Sequence, residues 1–129
     1  METNELLKVI KEAAYEVRLH LSPGYLESVY QNALILELRR MGIFSEKEVA
    51  IPVWYKGEQV GDFRADILVE KCIILELKAV RELNPIHEAQ LVNYLVATGF
   101  DYGYLINYGG EKFRIALKTR EYKPSSKPV

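Results

Sequence analysis

Cysteine is nearly absent from this sequence: Cys72 is the single one, and it lies inside an apolar run. One cysteine excludes a disulfide framework, and we expect a buried thiol here, which fits the reducing cytoplasm. Long apolar segments are also lacking, since none approaches the roughly 20 residues that a membrane-spanning helix needs. The N-terminal residues are acidic and amphipathic, so we expect no signal peptide and no membrane association.

An excess of positive charge is missing as well, because the formal net charge is −1. This balance does not by itself indicate a nucleic-acid-binding protein. The charge is unevenly placed, however. Residues 112–129 contain six bases and one acid, a net charge of +5, which leaves −6 on residues 1–111. This stretch is either a solvated tail or a strip that faces phosphate groups, with Lys112, Arg114 and Lys118 as candidate contacts.

The length of 129 residues suits one domain, and 49% hydrophobic residues can build one core. We predict a single domain over residues 1–120 and a flexible basic tail over residues 121–129. Sequence patterns within the domain alternate between helical and strand-like spacing, without internal repeats or linkers.

Three segments have the apolar spacing of amphipathic helices. The first covers residues 4–20. The second runs from Ser22, a candidate cap, to about residue 41. The third covers residues 83–99, with Asn84 as its candidate cap.

Five segments have the composition of strands: residues 48–55, 59–69, 72–80, 102–108 and 111–117. Tight turns join the first three, which predicts an antiparallel meander. The third helix connects the third strand to the fourth, which predicts one parallel pair. The order ααβββαββ therefore indicates an α/β (α+β) protein with a mixed central sheet flanked by helices.

Two opposite charges interrupt the apolar strand at residues 72–80. Glu76 and Lys78 follow Ile74 on one face of the strand, while the other face is entirely aliphatic. Burying a lone carboxylate or ammonium group costs several kcal/mol or more, so both groups need partners. A half-buried salt bridge or exposure at the strand's end would explain the pair, and so would a metal site.

Two further acids lie where apolar residues are expected. Glu27 falls within the apolar arc of the second helix, although the helix dipole also favours an acid in the first turn. Asp66 precedes a run of strand-forming aliphatic residues, although Asp is a poor strand residue. Asp66 could simply close a loop or pair with Arg64.

One hypothesis explains these acids together: Glu27, Asp66 and Glu76 supply carboxylate oxygens to Mg²⁺ or Mn²⁺, and Lys78 stands beside the metal. Such a metal would position and deprotonate a water and polarise a phosphodiester. The lysine would stabilise the charge that develops on phosphorus or orient the water. A structural ion-pair cluster of the same acids with Lys78 and Arg64 is the alternative.

The third helix presents His87, Gln90 and Tyr94 on one face, at i, i+3 and i+7. These side chains would be ordinary rim residues if the acids were absent. Next to a metal site, Gln90 can reach a metal-bound water or a phosphate.

The sequence resembles the GxxExxY protein family, whose signature matches Gly24, Glu27 and Tyr30. Further blocks of that family are similar to four stretches of this chain: RAD at 64–66, ELKAV at 76–80, HEAQLVNYL at 87–95 and GYLINY at 103–108. The resemblance covers roughly residues 5–118. Ala65 precedes Asp66, where the name of the wider PD-(D/E)XK nuclease superfamily has proline.

This resemblance implies a restriction-endonuclease-like core and a metal-dependent site. Glu27, Asp66, Glu76 and Lys78 match the superfamily's acid from the first core helix, its Asp and its E-x-K pair. Gln90 and Tyr94 match the Gln-x-x-x-Tyr motif of one branch, and His87 and Tyr30 would support the site.

We therefore expect a Mg²⁺- or Mn²⁺-dependent nuclease that acts on nucleic acid, with DNA as the predicted substrate. Contacts from Arg64, Lys112, Arg114 and Lys118 would supply part of the basic surface that such binding needs. A homodimer or a partner protein could supply the rest. The alternative is a non-catalytic nucleic-acid- or protein-binding module that retains the nuclease fold.

Overall fold

The computed structural model describes residues 1–120, and the predicted tail at residues 121–129 lies outside them. Three helices and five strands occur in this part of the chain: α1 (Thr3–His20), α2 (Glu27–Arg40), β1 (Ser45–Tyr55), β2 (Glu58–Val69), β3 (Ile73–Lys78), α3 (Pro85–Thr98), β4 (Tyr102–Asn107) and β5 (Arg114–Thr119). No helix within residues 1–120 is both long and apolar enough to cross a membrane.

One five-stranded sheet has the order β1-β2-β3-β4-β5. The pairs β1–β2, β2–β3 and β4–β5 are antiparallel, whereas β3–β4 is parallel and is connected through α3. The predicted fold class, the element order and the single parallel pair are therefore confirmed.

Apolar side chains cover both faces of the sheet. On one face, Ile73, Leu75 and Leu77 of β3 pack with the inner sides of α1 and α2. On the other face, Ile74 packs with Leu91 and Leu95 of α3. A strand buried on both faces reads as a continuous apolar run, which explains the sequence of β3.

The start of α2 differs from the prediction. Its first helical residue is Glu27, five residues after the candidate cap Ser22, and Leu26 occupies the N-cap. Residues 22–26 form a turn in which Gly24 has φ +118°, a conformation that side-chain-bearing residues rarely adopt. Leu26 is 77% exposed, so it lies outside the buried face of α2.

Cys72 is exposed, and the expectation of a buried thiol was wrong. The residue lies in the β2–β3 turn, after Glu70 and Lys71, which both have positive φ. The apolar run therefore becomes a strand only from Ile73.

Pro52 lies on β1, an edge strand, next to an irregularity in the β1–β2 register at Val53 and Trp54. This position agrees with the rule that proline in sheets occupies edges or bulges. The β1–β2 hairpin continues past the end of its pairing with β3, which stops at Ile67. Its outer half therefore projects from the sheet at the end where β3 terminates.

Candidate active site

The ladder between β2 and β3 opens at Asp66. Regular pairing ends with Ile67 opposite Leu75, and the next opposed pair would be Asp66 and Glu76. Side chains replace the missing backbone bonds: the N–H of Leu77 donates to Oδ2 of Asp66 at 2.8 Å, and the N–H of Asp66 donates to Oε1 of Glu76 at 3.3 Å. Both carboxylates are therefore held at the opening.

The carbonyl oxygen of Asp66 also has a side-chain partner. Gln31 of α2, which is only 7% exposed, donates to it from Nε2 at 2.8 Å. Buried backbone groups need such partners when a ladder ends, because an unpaired one costs about 1–3 kcal/mol. Gln31 therefore fixes β2 at the point where it leaves β3.

Side chains of β2 also exchange faces at Asp66. Phe63 and Ala65 pack on the α3 side of the sheet, whereas Ile67 and Val69 pack on the side of α1 and α2. Across the β1–β2 pair, the register skips Asp66 and the opposing Glu48, which has φ +52°. This local irregularity explains how an aspartate is accommodated within a strand.

Glu76 is 8% exposed, and burial is the main reason that its pKa is raised to about 8. The negative charge of Asp66 raises the pKa further, while the bond from the Asp66 N–H and the charge of Lys78 lower it. Burial likewise raises the pKa of Asp66, against the lowering effects of the Leu77 N–H and Lys78. The two carboxylates are therefore incompletely compensated by the protein.

Glu27 begins α2 and faces the same site from the helix. Glu27 is an exposed residue, yet partial desolvation of its carboxyl group raises its pKa. The negative charge of Asp66 raises that pKa further, and the positive charge of Lys78 lowers it. These influences indicate that Glu27 lies within electrostatic range of Asp66 and Lys78.

The hydroxyl of Tyr30 fixes the turn that delivers Glu27. It donates to the carbonyl oxygen of Ser22 at 2.6 Å and accepts from the N–H of Tyr25 at 3.2 Å. The fully buried Tyr30 ring stacks on Tyr108 at a centroid distance of 4.8 Å. Tyr30 thus anchors the chain on both sides of Gly24.

Lys78 is the last residue of β3 and is half-buried. Within residues 1–120 it forms no salt bridge, and neither does Arg64, which donates instead to the backbone oxygen of Glu48. The alternative of a structural ion-pair cluster around these bases is therefore not supported.

Tyr94 of α3 lies within electrostatic range of Glu76 and Asp66. Its half-buried ring stacks on Phe63 at a centroid distance of 3.5 Å. Desolvation raises the pKa of its hydroxyl, followed by the charges of Glu76 and Asp66.

His87 and Gln90 have different surroundings from Tyr94. Nδ1 of His87 accepts a hydrogen bond from the N–H of Asn84 at 3.1 Å, in a capping box at the start of α3. Gln90 is exposed. The predicted cap at Asn84 is confirmed, and His87 is engaged in that cap.

The predicted nucleic-acid contacts lie in three places. Arg64 is exposed on β2, beside the opening of the ladder. Lys112 and Arg114 line a cleft of about 480 Å³ at the ends of β3 and β4. Lys118 lies farther along β5 and forms a salt bridge with Glu88 at 2.9 Å, which neutralises part of its charge.

Two buried amides with important contacts were missed by the sequence analysis. One is Gln31. The other is Asn107, which is 1% exposed and whose Oδ1 accepts from the N–H groups of Val80 at 3.1 Å and Gly109 at 3.0 Å. The available signals were an amide four residues after Glu27 and an asparagine within an apolar strand.

A family model described as the PD-(D/E)XK nuclease superfamily matches residues 4–119. The chain belongs to the PD-(D/E)XK nuclease superfamily. Among solved structures, the crystal structure of SSO0001 has a TM-score of 0.54 and 18% sequence identity, over 95% of this chain and 80% of that chain. No curated protein matches the chain significantly.

PD-(D/E)XK nucleases generally use divalent metals, and the donor chemistry at the ladder opening fits such an ion. Asp66 and Glu76 each use one carboxylate oxygen for a backbone N–H, which leaves the other oxygen for a metal. Mg²⁺ usually takes one or two protein carboxylates and completes its shell with water or phosphate oxygens. Within residues 1–120, no group of three acidic, histidine or cysteine side chains is already gathered to hold a metal.

Proposed function

We propose that this PD-(D/E)XK protein is a Mg²⁺- or Mn²⁺-dependent nuclease that hydrolyses phosphodiester bonds of DNA, and that it belongs to the GxxExxY group within the superfamily. The observation that carries the proposal is the pair formed by Asp66 and Glu76 at the ladder opening, with Lys78 beside it and free of salt bridges within residues 1–120. Two incompletely compensated acids on neighbouring strands, with a lysine at the end of β3, suit phosphodiester hydrolysis better than they suit stability.

Each side chain has a role in this proposal. Asp66 and Glu76 would hold the metal, and Glu27 would contribute its carboxylate from the start of α2. The metal would act as a Lewis acid toward the phosphoryl oxygen and lower the pKa of the attacking water. Lys78 holds that water through Nζ and offsets negative charge on the phosphoryl group.

Supporting roles follow from the observed contacts. Tyr30 holds the turn before Glu27, and the hydroxyl of Tyr94 can bond to a water or to a phosphate oxygen near Glu76. Gln90 lies one turn before Tyr94 on α3, and His87 stabilises the start of that helix. Arg64, Lys112 and Arg114 contact phosphates on either side of the site, and Lys118 does so only when it leaves Glu88.

Binding to nucleic acid is limited by the formal net charge of −1. Protein–DNA affinity rests largely on lysine and arginine contacts to phosphates. A homodimer or a partner protein would therefore supply further basic surface. The proposed site of action is the cytoplasm.

A non-catalytic nucleic-acid- or protein-binding module is the second candidate. It is favoured by one observation: no three-ligand metal group is preassembled within residues 1–120. In such a module the raised pKa of Glu76 would persist without a metal that relieves it.

A cleavage assay separates the two candidates. Purified protein is incubated with Mn²⁺ and single-stranded, duplex or branched DNA, and Lys78→Ala is compared with Lys8→Ala, an exposed lysine of α1. We expect Lys8→Ala to cleave like the wild type and Lys78→Ala to lose activity by about 10²–10³-fold. Equal cleavage by both variants would show that the activity is a contaminant.

Calorimetry tests the metal site independently of activity. Titration with Mn²⁺ should show binding to the wild-type protein that Asp66→Ala loses. Absence of binding to the wild type would rule out the nuclease and leave the binding module.

A further inference from the structure

A cleft beside the candidate active site contains Lys112 and Arg114, two of the predicted phosphate contacts. It has a volume of about 480 Å³ and is bordered by the loop after β3 and the loop between β4 and β5. Its polar lining consists of Arg81, Glu82, Asn107, Glu111, Lys112 and Arg114.

The position of the cleft follows from strand register. Asn107 is the parallel partner of Lys78, and Arg114 is the antiparallel partner of Asn107. Neighbouring strands are about 4.8 Å apart, so the floor of the cleft lies one strand from Lys78 and Arg114 lies about 10 Å from it. A chain molecule that occupies the cleft can therefore extend directly to the E-x-K strand.

Side-chain and backbone contacts hold the two walls of the cleft together. The amide of Asn107 accepts from the N–H groups of Val80 and Gly109 and donates to the carbonyl oxygen of Val80 at 2.9 Å. Gly109 lies so close to the other loop that an added Cβ would be 2.3 Å from the carbonyl carbon of Ala79.

Helix α1 also contacts the loop between β4 and β5. The guanidinium group of Arg18, in α1, donates to the carbonyl oxygens of Tyr108 at 2.9 Å, Gly110 at 3.1 Å and Glu111 at 3.2 Å. The cleft therefore exists before any ligand arrives, which lowers the entropic cost of binding.

Charge and size define the ligand. Arg81, Lys112 and Arg114 are exposed and form no salt bridges with residues 1–120, while Glu82 and Glu111 leave one net positive charge. Arginine guanidinium groups suit phosphate because their planar N–H groups can bind two oxygens at once. A volume of about 480 Å³ is that of a small-molecule pocket, which suits one strand better than the full width of a duplex.

We propose that this cleft binds a phosphate group of a single polynucleotide strand and guides that strand to the candidate active site. The inference rests on the proposed function for the fate of the strand, but the binding itself does not depend on cleavage. The phosphate is either an internal phosphodiester or a 5′-terminal monoester, since both present non-bridging oxygens that Arg81 and Arg114 can bind.

Metal-free binding provides the direct test. A single-stranded oligodeoxynucleotide with 3′-fluorescein, with or without a 5′-phosphate, is titrated in EDTA at low salt and followed by fluorescence anisotropy. We expect Arg81→Ala and Arg114→Ala each to weaken binding about fivefold and to reduce the salt slope by roughly 0.7, the value for one phosphate contact on single strands. Arg39→Ala, which removes an exposed arginine near the end of α2, should bind like the wild type.

Variants that should bind more tightly are also needed, because weaker binding of an arginine variant could result from misfolding. Glu111→Gln and Glu82→Gln remove negative charge from the cleft walls, so each should tighten binding about two- to threefold. Glu12→Gln, at an exposed position of α1, is the matched control and should change nothing. Unchanged binding in both the arginine and the glutamate variants would overturn the proposal.

The oligonucleotide arms separate the possible forms of the ligand. If the wild type prefers the 5′-phosphorylated strand and Arg81→Ala abolishes this preference, the ligand is a terminal phosphate. If the wild type binds both strands equally, the ligand is an internal phosphate. Duplex of the same length should bind more weakly than the single strand. A duplex that binds more tightly, with equal sensitivity to Arg81→Ala, would contradict the single-strand ligand.

Failure of this proposal is distinguishable from failure of nuclease function. Cleft-dependent binding without Mn²⁺-dependent cleavage would leave the cleft assigned and refute the nuclease. Cleavage that depends on Lys78, together with cleavage and strand binding that do not change in Arg81→Ala and Arg114→Ala, would support the nuclease and refute the cleft as a binding site.

Discussion

Asp66 and Glu76 lie opposite each other on neighbouring strands and each carries a hydrogen bond that a regular ladder would give to a backbone oxygen. The N–H of Asp66 donates to the Glu76 carboxylate, and the N–H of Leu77 donates to the Asp66 carboxylate. Two acids whose ionised forms repel each other are thereby held between apolar strands. This arrangement costs stability in the absence of a cation, and a bound cation would offset that cost.

Stability should fall as pH rises through the neutral range. The pKa of Glu76 is raised from 4.5 to about 8 in the folded protein, so between these pH values the folded state holds a proton that the unfolded state releases. The free energy of unfolding therefore decreases over this window, by about 3–5 kcal/mol if Glu76 acts alone. Urea denaturation in EDTA between pH 4.5 and 9 measures the slope.

The variant Glu76→Gln isolates this contribution. Because glutamine cannot ionise, Glu76→Gln should flatten the pH dependence and be more stable than the wild type at pH 8. Glu12→Gln, on the exposed face of α1, should retain the wild-type slope. A wild-type slope of the opposite sign would show that Glu76 is ionised at neutral pH.

Gln31 should position Asp66 through its bond to the Asp66 carbonyl oxygen. The change Gln31→Leu removes the donor while keeping much of the buried volume, so we expect a loss of about 1–3 kcal/mol in unfolding free energy. Mn²⁺ affinity by calorimetry should fall as well, because Asp66 is no longer fixed. Gln59→Leu, which changes an exposed glutamine of β2, should stay within about 0.5 kcal/mol of the wild type. Equal effects of the two changes would refute the positioning role.

The sequence was sufficient to predict the fold class because the spacing of its apolar residues distinguishes helices from strands. The apolar run from Ile73 to Leu77 predicted a strand covered on both faces, and α3 covers one face while α1 and α2 cover the other. Boundaries were less certain where turns decide them. The delayed start of α2 was not predicted, because the turn before it has a positive φ at Gly24 and a long-range bond from Tyr30 to Ser22, and neither is visible in the sequence.

The candidate site was predictable to the extent that acids in apolar patterns stand out. The charges of Asp66 and Lys78 both act on the pKa of Glu27 and on that of Glu76, as a shared site requires. Gln31 and Asn107 were missed because an amide is common both on surfaces and in cores. Only the tertiary structure shows that Gln31 meets the Asp66 carbonyl group and that Asn107 ties two loops together.

Tyr30→Phe should affect the site more than the fold. The ring remains stacked on Tyr108, but the bonds to Ser22 and Tyr25 are lost, which should cost about 1 kcal/mol. The turn before Glu27 is then free to move, so Mn²⁺ affinity should fall by an amount on the order of tenfold. Denaturation and calorimetry measure the two effects on the same sample.

Tyr25→Phe is the matched control for Tyr30→Phe. Tyr25 is exposed, and its hydroxyl makes no hydrogen bond with residues 1–120. We expect neither stability nor Mn²⁺ affinity to change. If Tyr30→Phe also leaves Mn²⁺ affinity unchanged, Glu27 is not a metal ligand.

Gly109→Ala should be among the most damaging single-methyl changes in this protein. The added Cβ would lie 2.3 Å from the carbonyl carbon of Ala79 and 2.4 Å from the nitrogen of Val80, and both are backbone atoms that cannot rotate away. The loops after β3 and β4 would have to separate, so we expect a loss of about 2–3 kcal/mol or more in unfolding free energy. Gly61→Ala, in β2, has no atom within 4 Å of the new Cβ and should be nearly neutral. Similar denaturation midpoints for the two variants would mean that the loops are not in the close contact described, and the binding of single strands in the cleft should then also be insensitive to Gly109→Ala.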